Sequence, residues 1–113
     1  MADKVDEFDA ILVYVTTSSQ SEALLIAKTL VEQNLCACVN IIPEIRSIYS
    51  YDGKINDNIE VMLVIKSTQD LFPALEKNIL ELHSYEVPEI IATKIDFGHS
   101  KFINWIRETV KKE

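Results

Sequence analysis

The chain has 113 residues, of which 48% are hydrophobic and 26% charged. That is the usage of one globular domain and excludes a disordered segment. A net charge of −7, from 18 acidic and 11 basic residues, argues against a nucleic-acid binder or a protein docked on anionic lipid, because both need a basic surface. Two cysteines make no disulfide framework, and no apolar run is long enough for a membrane helix.

Residues 1–9 are acidic and lack the apolar stretch of a signal peptide. They are expected to be a flexible lead into a single domain over 10–113, in a reducing, cytoplasmic setting. Residues 10–15 are apolar and partly β-branched, as in a strand. Ser19 with Glu22 three residues on matches a capping box. The helix that follows should carry Ala23, Ala27, Leu30 and Val31 on one stripe and end near Asn34. A second strand is expected over 36–42, broken at Pro43, with the chain remaining extended to Tyr51. Cys36 and Cys38 would then share one strand face.

Asp52-Gly53 predicts a type I′ turn, whose two central residues need positive φ. It should join that extended segment to a strand ending at Lys66. Residues 67–70 should open a second helix with Pro73 in its first turn and a stripe of Phe72, Leu75, Ile79 and Leu82. The segment 83–89 turns the chain, 89–95 is strand-like, and Gly98 precedes a last amphipathic helix. That helix carries Phe102, Ile103, Ile106 and Val110, with Lys111 and Lys112 placed to complement its C-terminal dipole.

The order strand, helix, paired strands, helix, strand, helix predicts an α+β fold: a ferredoxin-like β-α-β-β-α-β antiparallel sheet with a long hairpin and an extra C-terminal helix. With helices on one face, the other face should alternate polar with apolar, yet residues 61–65 and 11–15 are apolar on both sides. Another copy of the chain is the expected cover.

Five segments carry a resemblance. Val39-Asn-Ile-Ile-Pro43, Ser47-Ile-Tyr-Ser-Tyr-Asp-Gly-Lys54, Glu60-Val-Met-Leu-Val-Ile-Lys66, His83-Ser-Tyr-Glu-Val-Pro-Glu89 and Trp105 stand in one unbroken order. Together they resemble the CutA divalent-cation-tolerance family. The resemblance implies a ferredoxin-like subunit, similar to the nitrogen-regulatory PII proteins, assembled as a homotrimer through sheet edges and the hairpin. It also implies tolerance of copper and other divalent ions, metal binding, and no established reaction. Bacterial relatives associated with copper often carry Cys near the end of the first strand, where this chain has Val15.

His83, Glu86 and Glu89 are the candidate metal ligands, since imidazole and carboxylate suit zinc, copper or nickel. The alternative is that His83 caps the second helix and the carboxylates are solvated. Cys36 and Cys38 could hold a soft cation, or could simply be small buried residues. In a PII-like trimer, clefts between subunits hold anionic effectors. Tyr51, Lys66, Tyr85 and Trp105 are the candidates for such a cleft, with Tyr49 and Lys54 beside them, or else they are core and trimer contacts. The chain has no nucleophile elbow, phosphate loop or zinc-helix motif, so no enzyme is expected. Three functions stand: a divalent-cation response trimer, an effector-binding regulator, and a structural trimer anchoring an unidentified protein.

Overall fold

The computed structural model describes residues 9–111. Eight elements follow one another: β1 (Ala10–Thr17), α1 (Gln20–Glu32), β2 (Cys38–Tyr51), β3 (Lys54–Thr68), a short 3₁₀ turn (Gln69–Leu71), α2 (Phe72–Leu82), β4 (Ile90–Lys94) and α3 (Ser100–Thr109). The antiparallel sheet has the strand order β2-β3-β1-β4, which is the expected ferredoxin-like arrangement. Of the segment expected to be flexible, residues 1–8 lie outside the described residues, as does Lys112. Asp9 is buried, and its carboxylate pairs with Arg107 of α3 at 2.8 Å.

Local chemistry explains the element ends. Ser19 Oγ accepts the Glu22 amide at 3.2 Å, so half of the capping box forms. The reciprocal half does not: Glu22 Oε1 instead accepts the Ser84 amide at 2.7 Å. At the other end of α1, Asn34 takes φ 58°. The amides of Asn34 and Leu35 reach back to the carbonyls of Val31 and Leu30, a Schellman closure that satisfies carbonyls the helix leaves orphaned. Asp52 (φ 56°) and Gly53 (φ 75°) form the hairpin turn.

Three local expectations change, and a fourth is sharpened. Ile26, not Val31, completes the buried stripe of α1 with Ala23, Ala27 and Leu30. Val31 is 42% exposed, because one residue past Leu30 rotates the side chain about 100° away from the sheet. Ser67 and Thr68 end β3 rather than opening α2, held by pairing with Ile11 and Ala10. The interruption at Pro43 is a break in the ladder and not the end of the element: pairing shifts register between Ile42 and Ile45 while β2 continues to Tyr51, tolerable because β2 is an edge strand. Finally, β2 begins at Cys38, so Cys36 lies before the strand and is 1% exposed in the core; the shared strand face does not arise.

All three helices share one face of the sheet. Ile11, Val13, Val15, Val61, Leu63 and Ile65 point into it and meet Ile26, Leu30, Leu75, Ile79 and Ile106 in one cluster. The opposite face carries Leu12, Tyr14, Met62 and Val64, which are half-buried, and Ile42 and Ile91, which are exposed. Beyond the β1–β3 pairing, which stops at Thr17 and Val61, the hairpin continues as a two-stranded ribbon. The ribbon stretches the subunit to 47 × 27 × 22 Å and its radius of gyration to 14.8 Å, against about 13 Å for a compact chain of this length.

Candidate functional site

Where β1 ends and the ribbon runs on alone, the 83–89 segment occupies the space beside β3. Two hydrogen bonds made by His83 fix that segment. Its Nε2 donates to the Thr16 carbonyl at 2.7 Å, and its Nδ1 accepts the Tyr85 amide at 3.1 Å. Glu22 adds a third tie through the Ser84 amide. Between ribbon and segment lies a cleft of about 690 Å³ lined by Thr16, Arg46, Ser47, Ile48, Tyr49, Tyr51, Glu60, Tyr85, Glu86, Val87 and Glu89.

Its central contact is Tyr85 Oη donating to Glu60 Oε2 at 2.7 Å. Burial, and then the Glu60 carboxylate that accepts its proton, push the Tyr85 phenol well above the ordinary tyrosine range. Glu60 is 6% exposed. On the ribbon wall, Asn58 Nδ2 donates to Tyr49 Oη at 2.6 Å, a diagonal cross-strand pair. Arg46 is engaged by Asp57 through two bonds of 2.9 and 2.7 Å, and that guanidinium holds the Asp57 carboxyl below its usual range.

The predicted residues divide. Of the cleft set, Tyr51 and Tyr85 line the cleft, whereas Lys66 and Trp105 do not. Lys66 sits between Leu12 and Cys38 in the sheet. Trp105 lies on α3, 43% exposed, with its ring 5.6 Å from that of Phe102. Of the metal set, Glu86 and Glu89 line the cleft and are exposed, but His83 is buried with both nitrogens occupied. His83, Glu86 and Glu89 form no metal-holding cluster; among the described residues no group of three or more His, Cys, Asp or Glu does so.

Glu60, Arg46 and Thr16 were not singled out from the sequence. A lone charge at position 60, where an apolar run begins, was the one available signal for Glu60. Away from the cleft, burial pushes the Cys36 thiol up to about 12, which suppresses its thiolate.

Residues 11–109 match the CutA1 divalent ion tolerance protein family. The chain is 42% identical over 97 residues to the divalent-cation tolerance protein CutA of Thermus thermophilus, covering 86% of this chain and 94% of that one. It is 40% identical over 98 residues to human protein CutA, covering 87% of this chain but 55% of the human one; the chain thus spans about half the length of that relative. The solved structure of the divalent cation tolerance protein from Thermus thermophilus superposes with a TM-score of 0.88 at 40% identity, over 90% of this chain and 99% of that one.

Proposed function

The chain belongs to the CutA1 divalent ion tolerance family, and from that premise we propose that it works as a non-catalytic homotrimer that responds to divalent cations. The observation that carries the assembly is the uncovered sheet face of Leu12, Tyr14, Met62, Val64, Ile42 and Ile91. Fully burying an exposed large apolar side chain is worth roughly 1.5–3 kcal/mol, and the half-buried members of this face would gain a part of that. The ribbon adds Ile48, Ile55 and Ile59, which are 66%, 83% and 58% exposed, on a two-stranded element that is marginal without cover. Strands β2 and β4 are the two sheet edges, so a head-to-tail ring can pair the edge of one copy with that of the next.

Cations engage the carboxylates of Glu86 and Glu89 at the cleft rim, with water or a neighbouring copy completing the shell; His83 takes no part. A role without catalysis fits a site whose histidine is fully bonded, whose tyrosine holds its proton tightly and whose core thiol is buried. A cytoplasmic setting fits the unpaired thiols of Cys36 and Cys38. Titration calorimetry with copper and zinc on wild type and on the Glu86→Gln/Glu89→Gln double variant tests the cation reading. Saturable heat in wild type and its loss in the variant are expected; equal isotherms would contradict it.

A further inference from the structure

The bonds around His83 close the 83–89 segment in a way that only one protonation state of the ring can satisfy. The Thr16 carbonyl can only accept, so Nε2 carries the proton of their 2.7 Å bond. The Tyr85 amide can only donate, so Nδ1 is bare where it accepts at 3.1 Å. A neutral imidazole serves both partners. An imidazolium cannot, because its second N–H would point at the N–H of Tyr85. The ring is buried, so solvent is poorly placed to replace the lost bond.

Glu22 supplies an alternative acceptor. Its Oε1 accepts the amide of Ser84, the residue between His83 and Tyr85. Its Oε2 is buried without a hydrogen-bond partner, which among the described residues is true of no other buried side-chain oxygen or nitrogen. Such an orphan oxygen costs free energy, and an imidazolium N–H is a donor of matching charge. His83 also stands at the C-cap of α2, the negative end of that helix dipole, which accommodates a positive ring. The other groups around these bonds are Glu60 of β3, reached through Tyr85, and Glu86 on the segment itself. From β1 comes the neutral Thr16, and Glu81 of α2 is exposed.

We propose that His83 is a pH-operated catch on the 83–89 segment. When neutral, it holds the segment shut through Thr16 and Tyr85. When a solvent proton binds Nδ1, the ring keeps Thr16, directs its new N–H to Glu22 Oε2 and releases the Tyr85 amide. The freed backbone then loosens Tyr85 from Glu60. Only hydrogen bonds change partners, and the catch does not depend on the metal reading. Histidine is the side chain that ordinarily changes charge between about pH 5 and 8, so the opening falls in that range.

Hydrogen exchange read by NMR on the full chain tests it, between about pH 8 and 5 and corrected for the intrinsic exchange rate. Protection of the Tyr85 amide should fall by about fivefold in step with the titration of the His83 ring protons. The amide of Leu63, in the core, should stay protected throughout. His83→Gln, neutral at every pH, should abolish the step. Glu22→Gln keeps an oxygen for the Ser84 amide but loses the negative charge, and should move the step to lower pH. Constant Tyr85 protection while His83 titrates, the same step in His83→Gln, an unmoved step in Glu22→Gln, or simultaneous loss of Leu63 protection would each overturn the proposal.

Discussion

The two faces of one sheet are built from alternate residues of the same strands, yet they have different fates. Val13, Val15, Leu63 and Ile65 are 0% exposed beneath the helices, whereas their neighbours Leu12, Tyr14, Met62 and Val64 are only half-buried. The difference teaches that this sequence encodes two burial surfaces. The first is completed by the chain's own helices, and the second is the one that the proposed assembly would cover with another copy. A chain meant to stay alone would place polar residues at every second position.

The largest expected effect breaks the first surface. Leu63→Ala should cost about 2–5 kcal/mol, read as a lowered denaturation midpoint. On the second surface, Met62→Asp should leave the fold intact by circular dichroism but abolish assembly, read by light scattering. A variant that unfolded as Leu63→Ala does would erase the distinction between the faces.

At the cleft, Tyr85→Phe removes the hydrogen bond that buried Glu60 accepts from the phenol. It should cost about 1–3 kcal/mol. The same residue sharpens a pH dependence. The folded Tyr85 phenol and Cys36 thiol hold their protons more tightly than in the unfolded chain. The stability they contribute is fully present below their unfolded values and is lost as pH rises through the folded ones. For Cys36 that window runs from 9.0 to about 12, and for Tyr85 it opens at 10.0. Thermal midpoints should therefore fall steeply above pH 9, and less steeply in Cys36→Ala. The smallest effect is Ser19→Ala, which removes the α1 cap and should cost about 1 kcal/mol in a denaturant titration.

What was legible in the sequence was local. Asp52-Gly53, Ser19 and Asn34 carry backbone requirements that neighbouring residues alone determine, and each sits where it was placed. The strand order followed from element sequence and crossover handedness. The site was less legible because it depends on which side chains meet across the fold. His83 was open to a metal or to capping the second helix; it stands at the C-cap of α2, and Thr16, 67 residues away, takes its Nε2. Lys66 and Trp105 have the chemistry of a cleft but lie elsewhere in the subunit. Glu60 became central only because Tyr85, 25 residues on, donates to it. Ile26 displaced Val31 because Val31, one residue past buried Leu30, is rotated about 100° off the stripe that faces the sheet.

Sedimentation equilibrium of the wild-type chain across a dilution series tests the second burial surface most directly. A species of three times 12.9 kDa that persists at the lowest concentrations is expected. A stable, monodisperse species at the mass of one chain would contradict it.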